Sequence, residues 1–364
     1  MLERLDFFAH PWDDVFMGPF SNIIVRMPNW IGDLVMALPA LVSLREAFPH
    51  SKLTAMVVNP LGELLEKDPH IDELFCFDKP KGMSRRSDKR DIVEKIAQGK
   101  YDLGILLTNS LSSAWWFWQG KVRERIGYAT QGRSLLLTKK VEMTETVTRQ
   151  HLTKTYQEIL APLGIAYHKR APKLYLTQEE ILEARQALMH FGAASDKPLI
   201  GINPTAAYGP SKCWLPERFR EVALKMLEKS SATLLFFGDV ESAPLVREIC
   251  SGLCERAINL AGLTSLRELM AFIYLCDVLL TNDSGPMHMG AALSTEIVAL
   301  FGSTDEVVTG PYQGRVLHKK VDCSPCFKKQ CPIDFRCMKA ITTDETVDIL
   351  LKMIRDESFK SKTL

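Results

Sequence analysis

The segment Thr281–His288, which reads Thr-Asn-Asp-Ser-Gly-Pro-Met-His, has the residue types of an anion-binding helix start. Asp283, Ser284 and Gly285 fall where a predicted strand gives way to a helix, and the N-terminus of a helix attracts phosphate groups. Ser284 and His288 are four residues apart and therefore share one face of that helix. Simple capping by Asp or Ser is the alternative, but it does not account for His288. The segment therefore predicts a site for an anionic group.

The loop 203–217 is long for a connection between a strand and a helix, and it offers other parts of such a site. Thr205 and Ser211 supply hydroxyl groups, and Lys212 supplies a positive charge that can pair with a phosphate. A lysine in a solvated loop is the alternative. The residue types alone leave both interpretations open.

Carboxylates follow two further strands. Asp33 ends the segment Met27–Asp33, which has a single glycine where a dinucleotide-binding loop has three, so this loop is a poor nucleotide site. Asp33 is a candidate general base, and capping of the helix that follows is an equal alternative. Asp239 and Glu241, just after the strand that ends near Gly238, are candidate acceptors for sugar hydroxyls. Carboxylates that only start a helix are the alternative.

Four of the nine cysteines lie within fifteen residues, at positions 323, 326, 331 and 337. Such a cluster can hold a structural zinc ion, and free thiols or a redox pair are the alternatives. We expect no catalytic metal, because neither a histidine nor an open coordination position belongs to the cluster.

Aromatic and basic residues alternate in the first half of the chain. The segment Ser113–Trp118 contains three tryptophans and precedes Lys121, Arg123 and Arg125. From residue 79 to residue 154 there are sixteen Lys and Arg against seven Asp and Glu. Tryptophans beside cations suit the surface of an anionic membrane. Packing of the tryptophans between helices is the alternative.

Short apolar runs alternate with amphipathic stretches along the whole chain, which indicates βα units and a mainly parallel sheet. The fold class predicted is α/β, with two Rossmann-like domains and ligands in the cleft beyond the carboxyl ends of the strands. We place an N-terminal extension at 1–20, the two domains at 21–175 and 176–345, and a C-terminal helix and tail at 346–364. The predicted strands are Asn22–Arg26, Lys52–Val58, Glu73–Phe77, Tyr101–Leu107, Leu199–Asn203, Thr233–Phe237, Ala257–Leu260, Val278–Thr281 and Glu296–Phe301.

Composition excludes several classes of protein. A formal net charge of +1 over 364 residues argues against a general nucleic-acid binder, which needs a basic excess. No apolar run reaches the roughly 20 residues that a membrane-spanning helix requires, and the first residues lack the apolar core of a signal peptide. We therefore expect a cytoplasmic protein, with peripheral association with a membrane as a further possibility.

The motifs together resemble family 9 glycosyltransferases, the lipopolysaccharide heptosyltransferases, over residues 22–343. The order and spacing of the motifs make the resemblance specific. The segments that carry it are Arg26–Asp33 with Met36–Pro39, Asn203–Trp214, Thr281–His288, Phe301–Asp305 and the cysteines of Cys323–Cys337.

The resemblance implies the GT-B glycosyltransferase fold and an inverting enzyme that needs no metal and no cofactor. Its partners would be ADP-heptose, bound by the C-terminal domain, and a lipid A–Kdo–heptose acceptor at the inner membrane surface, bound by the N-terminal domain. The implied roles are Asp33 as base, Thr205 and Lys212 on the phosphates, Asp283, Ser284, Gly285 and His288 on the donor, Glu241 loosely on the ribose, and Asn109 and Ser110 on the acceptor. A different donor or acceptor within the family, and a non-enzymatic nucleotide- or lipid-binding module, are the alternatives.

Overall fold

The computed structural model describes residues 20–80, 85–194 and 196–355. The extension predicted at 1–20 lies outside these ranges apart from Phe20, and so does the tail after Arg355. The described chain forms two six-stranded parallel sheets, one after the other along the sequence. The predicted α/β class with two Rossmann-like halves is confirmed, whereas the residue limits of the two domains stay a prediction.

Each sheet is doubly wound. The first has the order β3-β2-β1-β4-β5-β6 and the second β12-β11-β10-β7-β8-β9. The strands are β1 (Asn22–Arg26), β2 (Lys52–Val58), β3 (Glu73–Phe77), β4 (Leu103–Leu106), β5 (Glu124–Tyr128), β6 (Lys139–Val141), β7 (Leu199–Asn203), β8 (Thr233–Phe236), β9 (Ala257–Asn259), β10 (Val278–Asn282), β11 (Glu296–Phe301) and β12 (Arg315–His318).

Helices cover both faces of each sheet, which explains why the central strands read as continuous apolar runs. The helices are α1 (Ile31–Ala47), α2 (Arg85–Gly99), α3 (Leu111–Gln119), α4 (Glu145–Arg149), α5 (Leu152–Glu158), α6 (Gln178–His190), α7 (Pro216–Lys229), α8 (Ala243–Cys250), α9 (Leu266–Leu275), α10 (Gly285–Ala292), α11 (Glu306–Thr309), α12 (Arg336–Lys339) and α13 (Thr343–Arg355). In the part of the chain that the structure describes, no helix is long and apolar enough to cross a membrane.

The nine predicted strands are confirmed, with ends that shift by at most two residues. Three strands were missed, namely β5, β6 and β12. Two of them, β6 and β12, lie at sheet edges, and β6 (Lys-Lys-Val) is too short and polar to give an alternating pattern.

Strand order reverses between β1 and β4 in the first sheet and between β7 and β10 in the second. Ligands of doubly wound sheets bind at such switch points, beyond the carboxyl ends of the strands. Asp33 follows β1, Asn109 and Ser110 follow β4, Lys212 follows β7, and Asp283 follows β10. The topology therefore directs almost every predicted site residue to one of two switch points.

The two halves meet through the first turns of α1 and α10. A Cβ atom added to Gly32 would lie 2.7 Å from Cδ2 of His288, and one added to Gly285 would lie 2.8 Å from Cβ of Ile31. Both distances are too short for a real side chain. The two glycines thus permit a close approach that brings both switch points to one cleft.

Candidate functional site

A cavity of about 470 Å³ lies in this cleft, between the carboxyl edges of the two sheets. It is lined from both halves of the chain. Of the predicted site residues, the cavity brings together Asp33, Thr205, Lys212, Asp283, Ser284, Gly285 and His288.

Asp33 lies in the first turn of α1, where its carboxylate accepts a hydrogen bond of 3.1 Å from Oη of Tyr156. The helix N-cap is Trp30, which makes no side-chain capping bond, so the capping alternative for Asp33 is wrong. Burial raises the pKa of Asp33 above its ordinary value. The Tyr156 hydrogen bond and the charge of Lys212 lower that pKa, and the charge of Asp283 raises it further.

Lys212 is not a solvated loop lysine. Its Nζ lies 2.6 Å from Oδ2 of Asp283, and the two side chains are only 13% and 3% exposed. Oδ2 of Asp283 also accepts a 2.6 Å hydrogen bond from Thr304 Oγ1. The Lys212 ammonium lies 4.9 Å from the ring centre of Tyr208, within cation–π range. These contacts hold one positive charge at the cavity wall.

Ser284 is the N-cap of α10, but its side chain makes no capping hydrogen bond. The hydroxyl is instead 3.0 Å from Oγ1 of Thr281 and accepts a 3.1 Å bond from Nδ2 of Asn203. Capping by this hydroxyl, the alternative for the segment, is therefore wrong. The N-terminal end of α10 faces the cavity, where its dipole favours an anion.

His288 lies on the face of α10 toward α1, where it is 5% exposed. Burial lowers its pKa to about 4; the charge of Asp283 opposes this shift, and the charges of His151 and Lys212 add to it. The imidazole is therefore neutral at physiological pH and presents a polar edge to the cavity without a charge.

The acidic residue beside the cavity after β8 is Asp239 rather than Glu241. Asp239 lines the cavity, and its Oδ1 accepts a 2.8 Å hydrogen bond from the Ser242 backbone. Glu241 is exposed and does not line the cavity. The two carboxylates are two residues apart, and the turn between Asp239 and Ser242 decides which one faces inward.

Asn109 and Ser110 lie in the first half, outside the residues that line the cavity. Asn109 Oδ1 accepts a 3.1 Å hydrogen bond from the guanidinium of Arg133, which is fully buried. Ser110 is the N-cap of α3 and accepts a 3.3 Å bond from the Ser113 amide. Both side chains thus have structural partners, and their assignment to an acceptor stays a prediction.

Comparison with known proteins decides the family. Residues 90–335 match the profile of glycosyltransferase family 9 (heptosyltransferase), which is more than half of the chain. The chain belongs to glycosyltransferase family 9. It is a heptosyl-transferring enzyme.

Individual relatives agree with this assignment. The chain is 30% identical over 305 residues to lipooligosaccharide heptosyltransferase 2 of Haemophilus ducreyi, which covers 80% of this chain and 86% of that protein. Its fold is similar to a family 9 glycosyltransferase of Veillonella parvula, with a TM-score of 0.81, 26% identity and coverage of 93% of this chain and 99% of the other. The fold also resembles ADP-heptose LPS heptosyltransferase II of Escherichia coli, with a TM-score of 0.78, 23% identity and the same coverage.

The cysteine cluster of this family 9 chain forms a compact group. All four thiols line one small cavity of about 50 Å³, and all nine cysteines are free. Over residues 20–80, 85–194 and 196–355, no group of three or more His, Cys, Asp or Glu is arranged to hold a metal ion. Burial raises the pKa of Cys337, which keeps it a thiol. The choice between a structural metal, free thiols and a redox pair stays a prediction.

The segment 323–337 that carries these cysteines supports the Lys212 loop. Oη of Tyr208 donates a 2.8 Å hydrogen bond to the Phe327 carbonyl, and the Ser211 amide donates a 3.2 Å bond to the Lys329 carbonyl. Ser211 itself is 2% exposed. The residues that precede Lys212 are therefore held by backbone carbonyl groups of this segment.

Two residues of the site escaped sequence reasoning. Tyr156 lies in α5, 123 residues from Asp33 and outside every motif. Asn203 ends β7, is 3% exposed and donates to Thr205, Thr281 and Ser284. Asn203 was detectable because it opens the lysine loop, whereas nothing local indicated Tyr156.

A pH-dependent contribution to stability is expected from His288. Its pKa is about 4 in the folded protein and near 6.5 when unfolded, so the unfolded state alone takes up a proton between these values. Stability should therefore fall as the pH drops from 6.5 to 4, by up to about 3 kcal/mol. Urea unfolding at several pH values measures this loss.

The His288→Asn variant should lose less stability than the wild type over the same pH range. Replacement of the exposed His190 by Asn is the control, and it should keep the wild-type slope. Parallel curves for wild type and His288→Asn would show that His288 is not held neutral by burial.

Proposed function

We propose that this enzyme transfers heptose from ADP-L-glycero-D-manno-heptose to the inner core of lipopolysaccharide, adding the second heptose to heptose I with inversion. The observation that carries the proposal is the two-sided cavity, with the Asp33 carboxylate on one side and the Lys212, Asp283 and α10 group on the other. The relatives from Haemophilus ducreyi and Escherichia coli, which are named lipooligosaccharide and lipopolysaccharide heptosyltransferase 2, support heptose as the sugar and lipopolysaccharide as the acceptor class.

In the proposed reaction an acceptor hydroxyl attacks the anomeric carbon from the face opposite ADP, in a single displacement that inverts this carbon. Asp33 accepts the proton of that hydroxyl. Its raised pKa supports this role, because a base is most effective when its pKa approaches the working pH. Tyr156 fixes the orientation of the carboxylate through its hydrogen bond.

Departing ADP gains negative charge on its β-phosphate. Lys212 and the N-terminal end of α10 provide positive charge for it, already in place before the reaction. The phosphate would then share the ammonium with Asp283. We propose that Lys212 and the N-terminal end of α10 stabilise the leaving group without a metal ion. Transfer should therefore continue in the presence of EDTA.

One wall of the same cavity suits the nucleoside end of the donor. Phe237, Leu266 and Leu269 form an apolar surface, and Asp239 lies beside it. A flat base packs well against apolar side chains, and a carboxylate can accept hydrogen bonds from ribose hydroxyls. We propose that adenosine lies here, with Asp239 on the ribose.

The acceptor would approach from the half of the chain that carries Asp33. Asn109 and Ser110 follow β4, which pairs with β1, and they remain our candidates for acceptor contacts. We propose that the enzyme acts in the cytoplasm on a lipid-linked acceptor at the inner membrane surface.

Removal of the base should abolish turnover and spare donor binding. Asp33→Asn is expected to lower kcat by about 10²- to 10⁴-fold, because a positioned base contributes that much. Its affinity for ADP in calorimetry should stay close to that of the wild type. Glu46→Gln, on the exposed face of the same helix, is the matched control and should keep full activity. Near wild-type turnover of Asp33→Asn would remove Asp33 from the mechanism.

Tyr156→Phe should shift the pH profile. The Tyr156 hydrogen bond lowers the pKa of Asp33, so its loss raises that pKa and moves the acidic limb of kcat/KM to higher pH. Tyr128→Phe is the control, because the Tyr128 hydroxyl donates to the Thr155 carbonyl rather than to Asp33. An identical shift in both variants would mean that the effect is merely structural.

The two carboxylates after β8 can be told apart by ADP binding. Asp239→Asn should weaken ADP roughly tenfold, because hydrogen bonds between the carboxylate and the ribose are lost. Glu241→Gln should leave the affinity unchanged, since this side chain does not line the cavity. Calorimetric titration of both variants measures the difference. A larger loss for Glu241→Gln would restore the sequence-based assignment.

A further inference from the structure

The tryptophan cluster of α3 divides into two faces. Trp116 and Phe117 point into the core, where they are 6% and 0% exposed. Leu111, Trp115 and Trp118 follow the spacing i, i+4, i+7 and lie on the opposite face, each nearly half exposed. The rings of Trp115 and Trp118 are 4.9 Å apart. Core packing therefore explains only one face of this helix.

A second element extends the exposed face. The short turn Arg133–Leu136 packs against α3, and it presents Leu135 with 92% of its surface exposed. Arg133 anchors this turn, because its buried guanidinium donates a 2.8 Å bond to the Tyr128 carbonyl. We call Leu111, Trp115, Trp118 and Leu135 the α3 patch. Contiguous apolar side chains on a fixed surface mark an interaction site.

Exposed basic residues adjoin the α3 patch. Lys121 and Arg123 follow α3 directly, and Arg123 keeps 65% of its side chain exposed although Asp102 lies 3.9 Å away. The neighbouring helix α2 packs against α3 and exposes charges of both signs, with Arg90 paired to Glu94 at 2.6 Å. Glu124, an acidic residue close in sequence, is paired with Lys139 at 3.0 Å. Lys121 and Arg123 therefore determine the charge next to the patch, and a partner of matching chemistry is both apolar and negatively charged.

We propose that the α3 patch docks this enzyme on the surface of an anionic lipid bilayer. Indole rings favour the headgroup region, where an apolar body and a polar N–H are both accommodated, and cations around them gain from anionic lipids. Docking on a bilayer rests on the proposed function in one respect, because a lipid-linked acceptor gives the docking its purpose. An anionic bilayer offers apolar chains and negative headgroups together. A protein partner would need apolar residues at the contact and additional acidic residues around it.

The position of the patch fits delivery of such an acceptor. α3 follows β4 and α1 follows β1, and these strands are adjacent and parallel. Both helices therefore begin at the same edge of the sheet, where Asp33 lines the cavity. Leu111, at the first position of α3, lies at this edge. The α3 patch therefore begins at the edge of the first sheet that carries Asp33.

The test is flotation of the full chain with vesicles of phosphatidylcholine alone or mixed equally with phosphatidylglycerol. The wild type should bind the mixed vesicles roughly tenfold more tightly than the neutral ones, and salt should reduce this difference. The double variant Trp115→Ser/Trp118→Ser should lose roughly tenfold in affinity. Leu182→Ser/Met189→Ser on α6, where both side chains are equally exposed, is the matched control and should bind normally.

Equal binding of the wild type and the tryptophan variant, or no binding by either, would overturn the docking proposal. Self-association that the tryptophan variant abolishes, without vesicle binding, would also overturn it and assign the patch to a second copy. Heptose transfer to a detergent-solubilised acceptor should be unchanged in the tryptophan variant. If the wild type binds vesicles but transfers no heptose, the proposed function fails while the docking surface stands.

Discussion

The site depends on the close contact between the first turns of α1 and α10. This contact requires Gly32 and Gly285, because a Cβ atom at either position would collide with the other helix. Two helix N-termini side by side concentrate positive partial charge in the cavity, which is unfavourable unless negative groups lie nearby. Asp33 and Asp283 supply such groups in the free protein. A bound diphosphate would add to them, so the packing that joins the two halves also favours the ligand.

The buried pair of Lys212 and Asp283 fixes the position of the ammonium more than it stabilises the fold. Burial of two charges costs desolvation energy that their attraction repays only when the geometry is good. Here Thr304 adds a hydrogen bond to the carboxylate, and segment 323–337 holds the lysine loop through its backbone. The cysteine cluster adjoins this loop, because Ser211 lines the same small cavity as the four cysteines. The ammonium is thereby fixed before any phosphate arrives.

Much of this arrangement was predictable from local patterns. Apolar runs gave the central strands, and the polar residues that follow β1, β7 and β10 marked the switch points. Tyr156 was not predictable, because its contact with Asp33 joins residues 123 positions apart and depends on how α5 packs. The resemblance pointed to Glu241 for the ribose, and the sequence does not define the turn that brings Asp239 to the cavity instead. The two faces of α3 became distinct only when the position of the sheet fixed which side is core.

Burial of Asp33 would affect the whole cycle of the proposed mechanism. A buried carboxylate holds a proton more readily, which would favour its capture from an acceptor hydroxyl. The same burial would then oppose release of that proton, and the buried, neutral His288 nearby is not basic enough to take it. Lys212 and Tyr156 counter this tendency, because both favour the ionised form of Asp33. In this proposal, departure of ADP returns the charge of Lys212 to Asp283 and Asp33, and thereby favours return of Asp33 to its ionised form.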